Sequence, residues 1–313
     1  MKTISNGHLT ISVKDHGAEL ASVICNNREY LWQADPAFWT RHSPVLFPIV
    51  GAVWNGEYRS HGNTYQMGQH GFARDMDFTL ICEKDNELRY VLRSNDDTLN
   101  HYPYNFRLEI GYRIENNRIK VMWHVENTGC ETMYFQIGAH PAFFWPLLSD
   151  NQITCGVESM TESLANTDNR GYFHIEVTDR YAKEDGDSII LPISVITEKG
   201  CIGKKSSVQI DNDGYLPLNI HSFDNDAMII EDSRIKKVTI CREDKSPYLS
   251  LEFTSPLVGL WSPPGKRAPF VCVEPWYGRT DPANYNGIYE EKPWIQGIEE
   301  GMAFDASYDI IIE

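Results

Sequence analysis

The sequence lacks the cysteine pairs and long apolar runs that mark secreted, zinc-binding and membrane proteins. Its seven cysteines stand singly and form no C-x-x-C pair, which favours buried, reduced thiols over a disulfide or zinc framework. No apolar stretch approaches the length of a membrane span, and the segment Met1–Asn6 carries no signal-peptide run. We therefore expect a cytoplasmic protein that does not enter a membrane.

Positively charged residues are also scarce in this chain. Lysine and arginine number 28 against 44 aspartates and glutamates, which gives a net charge of −16 at pH 7. This charge opposes binding to phosphate backbones, and no long basic cluster reverses it locally. Nucleic acid is therefore not an expected partner, although two or three arginines in a pocket could still hold a small phosphorylated substrate.

Local metal-binding motifs are missing as well. The histidines include no H-x-H or H-E-x-x-H pair, so a metal site would need ligands that converge from distant parts of the chain. No internal repeat of solenoid length is visible either. The sequence therefore predicts neither a bound metal nor a repeat architecture.

What the chain does have is alternation of apolar and polar residues, which is typical of half-buried β-strands. Alternation through residues 107–126, broken at Glu115-Asn116-Asn117, predicts a β-hairpin. Convincing long amphipathic helices are missing. The predicted fold class is therefore all-β, a β-sandwich with few short helices, formed by a single domain over residues 1–313. The further predicted strands are 78–83, 88–93, 208–211, 237–242, 248–253 and 271–274.

Two segments depart from this alternation. Asp35 precedes a proline and is a favourable N-cap, so a short helical turn is predicted at Pro36–His42. Residues 149–188 are more polar and irregular, and we interpret them as long loops of the sandwich.

Three polar side chains on separate β segments suggest a general acid/base site. An alternating strand runs into His140, which lies between Ala139 and Pro141. His70 stands upstream within the sequence QHGFAR, and Glu274 stands downstream within VCVEPW. Taken singly, each has a structural explanation, since strand-end histidines are often core residues and glutamates are often solvated.

The strand period of two gives Glu274 a predicted direction. It turns Glu274 and Cys272 to the face opposite Val271 and Val273. Pro275 is expected to end strand pairing just after the carboxylate. The pattern therefore predicts a glutamate at a strand end.

The chain resembles the aldose 1-epimerase (galactose mutarotase-like) family, in particular its divergent bacterial branch found with lactose-utilisation genes. The resemblance implies a large antiparallel β-sandwich that binds a monosaccharide in a cleft and interconverts its α and β anomers, with no cofactor and no metal. It spans almost the whole sequence. Its motifs, in family order, are SPVLFPIVG at 43–51, HGFAR at 70–74, YPYNF at 102–106, NTG at 127–129, GAHPAF at 138–143, DAMII at 226–230 and VEPW at 273–276.

The resemblance also implies roles for five residues. His140 matches the general acid that protonates the ring oxygen, and Glu274 matches the general base that takes the proton from the C1 hydroxyl. His70 matches the histidine that helps to orient the ring oxygen. Arg74 and Asp226 match positions that contact the ligand. The chemistry agrees, because opening a hemiacetal needs one group that removes a proton and one that delivers a proton.

One position departs from the family pattern and keeps alternatives open. Ala52 stands where a basic residue is often found, and Arg41 is the candidate that could supply a guanidinium instead. A hexose 6-phosphate 1-epimerase, with Arg41 and Arg74 on the phosphate, is one alternative, and a non-catalytic sugar-binding or regulatory protein is another. A hydrolase that uses Glu274 and Asp226 would leave the histidines without a task. The sequence does not decide between a monomer and a homodimer.

Overall fold

The computed structural model describes residues 1–145, 170–177, 188–231 and 234–313. Up to residue 145 the strands are Lys2–Ser5 (β1), Leu9–Val13 (β2), Leu20–Cys25 (β3), Arg28–Glu29 (β4), Val45–Leu46 (β5), Glu57–Ser60 (β6), Asn63–Gln66 (β7), Thr79–Lys84 (β8), Glu87–Arg93 (β9), Phe106–Glu115 (β10), Arg118–Asn127 (β11), Met133–Phe135 (β12), Ile137–Ala139 (β13) and Ala142–Phe144 (β14). The later strands are Tyr172–Val177 (β15), Ser188–Ile196 (β16), Ile202–Asp211 (β17), Tyr215–Pro217 (β18), Met228–Glu231 (β19), Ile235–Cys241 (β20), Pro247–Phe253 (β21), Leu257–Trp261 (β22), Phe270–Tyr277 (β23), Gln296–Ile298 (β24) and Ala303–Ile312 (β25).

Helices are short in the described ranges. They comprise Asp96–His101 (α1) and the 3-10 turns Trp54–Gly56, Ala73–Asp75 and Tyr289–Glu291. Asn95 caps α1, because its side chain accepts the Thr98 N–H while the Thr98 hydroxyl accepts the Asn95 N–H. None of these helices has the length and apolar character needed to cross a membrane.

Two large antiparallel sheets form the body of the fold. The nine-stranded sheet has the order β18-β15-β20-β21-β25-β11-β10-β9-β8, and the eight-stranded sheet has the order β17-β16-β19-β22-β23-β13-β5, with β14 also paired to β23. A four-stranded sheet, β1-β2-β3-β4, and two small strand pairs complete it. The main core joins Leu108 and Trp123 of the first sheet to Val258 and Val273 of the second. This arrangement confirms the predicted β-sandwich.

The predicted hairpin at residues 107–126 is confirmed as β10 and β11. The pairing runs from Phe106 opposite Asn127 to Glu115 opposite Arg118. Asn116 in the turn has a φ of 56°, a left-handed conformation that asparagine tolerates better than most residues. The apolar side chains of β11 that were predicted to face inward are all buried: Ile119, Val121, Trp123 and Val125.

The strand pairing on one side of β23 has a gap, and this gap lies at the candidate functional site. On one side of β23 the strand β22 pairs without a break, from Trp261 opposite Cys272 to Leu257 opposite Trp276. On the other side β14 pairs only with 270–272, and β13 pairs only with 276–277. The two pairings share one antiparallel register, with Gly138 opposite Trp276 and Ala142 opposite Cys272. In the unpaired gap between them, the same register places His140 opposite Glu274.

The prediction that Pro275 ends strand pairing is wrong. β23 continues to Tyr277, and Pro275 lies opposite Val258 of β22. A proline is tolerated here because β13 and β14 leave residues 273–275 unpaired on the other side, so a missing N–H breaks no continuous ladder. Glu274 therefore lies within a buried central strand and not at a strand end.

Two further predictions need correction or fall partly outside the description. Residues 172–177 within the predicted long loop form β15, which pairs with β18 and β20, while 149–169 and 178–187 lie outside the described residues. The predicted helical turn after Asp35 is a hydrogen-bonded turn without a helix. The carbonyl of Asp35 accepts the N–H groups of Phe38 and Trp39, and its carboxylate accepts the Ala37 N–H.

Candidate active site

A cleft of about 300 Å³ opens on the face of the eight-stranded sheet that points away from the main core. Val271 and Val273 of β23 belong to the main core, whereas Cys272 packs in a separate cluster, so the predicted alternation is correct. Glu274 consequently points into the cleft. The cleft is lined by Trp39, Gly51, Gln69, His70, Arg74, His140, Ile196, Gly200, Asp226, Ala227, Ile229, Trp261, Pro264, Glu274, Trp276 and Thr280.

His140 and Glu274 meet at the bottom of this cleft. His140 Nε2 lies 3.4 Å from Glu274 Oε2, and the side chains are 9% and 1% exposed. Trp39 stacks on the His140 ring at 4.7 Å between centroids, and Trp261 meets it edge-on at 5.1 Å. The two indoles hold the imidazole in one plane and keep water from most of its surface.

Burial sets the protonation of this pair. It lowers the pKa of His140 from 6.5 to about 3, and the positive charges of Arg74 and Arg41 act in the same direction. Burial also raises the pKa of Glu274 well above 4.5, with repulsion from Asp226 as the next cause. Both shifts favour a neutral imidazole beside a protonated carboxyl, so the pair holds one proton.

His70 approaches from a tight turn. Its φ is 65°, and Gly71 follows at a φ of 72° with its Cα packed against the Phe47–Pro48 backbone, where a Cβ would lie 2.1 Å from the Phe47 oxygen. Only glycine fits at position 71. The Gly51 N–H donates to His70 Nδ1 at 3.1 Å, which leaves Nε2 as the protonated nitrogen. Burial, followed by the neighbouring His140, lowers the pKa of His70 well below 6.5 and keeps the ring neutral.

Asp226 also lines the cleft. It has a φ of 68°. Its Oδ1 accepts the indole N–H of Trp261 and the backbone N–H of Ala227, both at 2.9 Å. The second carboxylate oxygen is not engaged by these two bonds. Asp226 is therefore a fixed acceptor that can face a ligand hydroxyl.

The two predicted arginines have different placements. Arg74 lines the cleft, donates to the Gln69 carbonyl at 2.7 Å and lies 3.6 Å from the Asp75 carboxylate. Burial, followed by repulsion from Arg41, lowers the pKa of Arg74 to about 10. Arg41 is not in the lining and forms an ion pair with Asp75 at 2.7 Å. The structure thus brings five of the six predicted site residues to the cleft and leaves Arg41 beside it.

Ala52 is buried next to the cleft wall. Its N–H donates to the Thr280 hydroxyl, which in turn donates to the Gly200 carbonyl at 2.5 Å. A Cβ on Gly200 would lie 3.2 Å from the Ala52 side chain, so this wall is closed by small residues. Among the described residues, Arg74 is therefore the only arginine or lysine that lines the cleft.

Sequence reasoning missed several wall residues. The sequence predicts no site role for Trp39, Trp261 or Thr280, although all three line the cleft. Their contacts with the site come from segments that are far apart in the chain. Cys272 was expected on the Glu274 face, but its approach to His140 was not expected: one ligand atom from each of these three residues lies within 4.8 Å of the others.

The chain and its fold are similar to known proteins. A family model described as aldose 1-epimerase matches residues 1–185. The chain is 29% identical over 320 aligned residues to the chromosomal and plasmid forms of Protein LacX from Lactococcus lactis subsp. lactis, covering 99% of this chain and 98% of each relative. A solved galactose mutarotase related enzyme from Lactobacillus acidophilus superposes with a TM-score of 0.84 at 29% identity, over 100% of this chain and 97% of that one. A galactose mutarotase-like protein from Lactobacillus casei gives 0.85 at 27% identity, with both chains fully covered.

Proposed function

This chain belongs to the aldose 1-epimerase family, and from that premise we propose that it is an isomerase that interconverts the α and β anomers of a free hexose. The observation that carries the proposal is the buried contact of 3.4 Å between His140 and Glu274. An acid and a base at this separation, open to one cleft, can reach two oxygens of the same sugar ring.

The proposed reaction is a pair of proton transfers through the sugar. Glu274 removes the proton from the C1 hydroxyl while His140 delivers one to the ring oxygen, which opens the hemiacetal. Rotation about the C1–C2 bond and reversal of both transfers close the ring on the opposite face. The reacting form is the imidazolium–carboxylate tautomer, which arises from the resting imidazole–carboxylic acid pair when its one proton moves from Glu274 to His140 across the 3.4 Å contact. Ring opening returns the pair to the imidazole–carboxylic acid form, so the two side chains carry one proton throughout the cycle.

The neighbouring residues supply orientation in this mechanism. The Nε2–H of His70 is directed by the bond from Gly51 to its Nδ1, and it donates to the ring oxygen beside His140. Asp226 accepts a sugar hydroxyl, and Arg74 donates to another. Trp39 and Trp261 offer faces on which the apolar side of a sugar ring can pack.

The size of the expected effect suits the reaction. A positioned proton transfer contributes about 10²–10⁴ in rate, so two such transfers supply about 5–11 kcal/mol if they act independently. Anomer exchange already proceeds slowly in water, and this contribution makes it fast. The proposed steps balance with protons alone.

Coupled polarimetry on freshly dissolved α-glucose and α-galactose tests the proposal. We expect the wild-type chain to accelerate the change in rotation well above the spontaneous rate and to release no sugar from glycosides. If neither these sugars nor a hexose 6-phosphate is accelerated, while calorimetry detects saturable sugar binding, the proposal gives way to a non-catalytic sugar-binding protein.

A further inference from the structure

A third reactive side chain stands beside the proposed acid/base pair. Cys272 lies two residues before Glu274 on the same face of β23, and its thiol is fully buried. One ligand atom of His140, one of Cys272 and one of Glu274 fall within 4.8 Å of one another, and all three residues are buried. The proposed epimerase mechanism gives the thiol no task.

The geometry is close to that of a three-ligand metal site. Nitrogen and oxygen ligands about 2.0–2.1 Å from a tetrahedral zinc ion lie roughly 3.4 Å apart. His140 Nε2 and Glu274 Oε2 are already separated by 3.4 Å. The Cys272 sulfur needs to come at most about 1.2 Å closer from the 4.8 Å limit, because zinc–sulfur bonds of about 2.3 Å set tetrahedral S–N and S–O separations of about 3.6 Å.

The ligand chemistry selects the class of metal. A thiolate with an imidazole favours zinc and similar soft cations over magnesium or calcium, which prefer all-oxygen sites. Binding releases two protons, one from the Cys272 thiol and one from the His140–Glu274 pair. The resulting thiolate and carboxylate together cancel the charge of a divalent cation, so the bound site is neutral in a buried setting. Among the described residues, Glu274 Oε2 has no hydrogen-bond partner, so a cation would satisfy a buried acceptor.

Three protein ligands would leave one coordination position of the metal free, and the side to which it faces affects function. His140 and Glu274 line the cleft, whereas Cys272 is outside the cleft lining and packs in a buried apolar cluster. A metal held by all three would keep its fourth position toward the cleft, as zinc sites with three protein ligands do. It would also occupy both groups that the proposed reaction uses for proton transfer.

We propose that a thiophilic divalent cation such as Zn²⁺ binds across His140, Cys272 and Glu274 and excludes the sugar from the cleft. The exclusion of sugar rests on the function proposed above, whereas the metal site itself does not. The site is inhibitory, because the metal withdraws the acid and the base from the reaction.

Cobalt titration of the full metal-free chain tests the site without any need for turnover. A thiolate-to-cobalt charge-transfer band in the near ultraviolet should appear and saturate at one equivalent of Co²⁺. Cys272→Ala should abolish the band, and Cys272→Ser should do the same if the alanine variant is unstable. Cys241→Ala is the matched control, because Cys241 is also buried but lies in the other sheet, and it should keep the band.

Two further readings complete the test. Glu274→Gln should weaken cobalt binding at least about tenfold, since even the loss of an outer-shell partner weakens metal binding about 10–100-fold. With Zn²⁺ at ten times its dissociation constant, KM for the hexose should rise about elevenfold with kcat unchanged, and saturating hexose should remove the cobalt band.

The outcomes separate the two proposals. Absence of a thiolate band in the wild-type chain, or the same band in Cys272→Ala, overturns the metal site. A cobalt band without any anomer exchange keeps the metal site and removes the proposed function. A band that hexose leaves unchanged, or activation by Zn²⁺, overturns the exclusion of sugar.

Discussion

At the scale of single residues, hydrogen bonds orient individual side chains of the cleft. The Gly51 N–H decides which nitrogen of His70 is protonated. The Trp261 indole similarly fixes one oxygen of Asp226 at 2.9 Å. These bonds do not take part in the proposed chemistry, but they hold the two groups that are proposed to contact the sugar.

Trp261→Phe should weaken sugar binding more than turnover. Phenylalanine keeps a ring beside His140 but removes the N–H that holds Asp226, and a hydrogen bond to a charged group contributes about 1.5–3 kcal/mol. We expect KM to rise about 10–100-fold with kcat within a few-fold of wild type, measured by polarimetry. Trp294→Phe is the control, because its indole donates to Glu231 away from the cleft. Equal KM values in the two variants would contradict this role of Trp261.

Sequence reasoning reached His140, Glu274, His70 and Asp226 because each lies inside a short motif. It could not pair Asp226 with Trp261, since these residues are 35 positions apart. Their contact exists only because β19 and β22 are neighbours in the sheet. The metal-like trio of ligand atoms was out of reach for the same reason, because the segments of His140 and Cys272 meet only through the sheet register.

At the scale of elements, the Glu19 carboxylate holds the segment that leads into β5 through hydrogen bonds. Glu19 Oε1 accepts the N–H groups of His42 and Ser43 at 2.8 and 3.2 Å. Its Oε2 lies 3.4 Å from the Lys14 ammonium and 3.3 Å from the His42 ring. This segment carries Trp39, which packs on His140, so Glu19 supports the cleft from behind.

The chain should lose stability in acid through Glu19. Burial alone would raise the pKa of this carboxyl, but the hydrogen bonds from His42 and the charge of Lys14 outweigh it and lower the pKa to about 2 from 4.5. A pKa that is lowered on folding contributes stability above pH 4.5, and this contribution is lost as the pH falls toward 2. The contribution is on the order of 3 kcal/mol.

Glu19→Gln should therefore lower the free energy of unfolding at pH 7 by about 2–3 kcal/mol and flatten its slope between pH 4.5 and 2. Urea denaturation followed by tryptophan fluorescence measures both quantities. Glu83→Gln, which removes only the half-exposed pair with Lys2, should change stability by less than about 1 kcal/mol. A pH dependence that is the same in Glu19→Gln and wild type would refute this assignment.

The strands that could be predicted are those with a clear alternation. In the β10–β11 hairpin, and most clearly in β11, buried residues alternate with more exposed ones, so the alternation of apolar and polar residues is easy to recognise. β17 was anticipated only at residues 208–211, because it is an edge strand whose stretch Gly203–Ser207 is exposed. The continuation of β23 through Pro275 could not be foreseen, since it depends on a gap in the neighbouring strand.

At the scale of the whole molecule, charge bears on the substrate. The net charge of −16 surrounds a cleft whose described lining contains a single arginine, Arg74, together with the acidic residue Asp226. Such a field repels a phosphorylated sugar but does not act on a neutral one. The free hexose is therefore the expected substrate.

Salt should distinguish the two substrate classes. We expect kcat/KM for glucose to be independent of ionic strength. For glucose 6-phosphate it should be lower and should rise between about 0.01 and 0.15 M salt, where the Debye length falls from about 30 to 8 Å. Polarimetry across this series checks both. A phosphorylated substrate that is preferred, and whose kcat/KM falls with salt, would contradict the expectation and indicate converging cations.

The central claim is that Glu274 and His140 act as base and acid on one sugar, and the rate of α-galactose anomerisation in Glu274→Gln and His140→Asn tests it most directly. Glu252→Gln, in the other sheet and outside the cleft, serves as the control, and circular dichroism verifies that each variant is folded. Each site variant should lose about 10²–10⁴ of the enzymatic rate while the control keeps it. A folded Glu274→Gln or His140→Asn variant with a rate close to that of wild type would contradict the account.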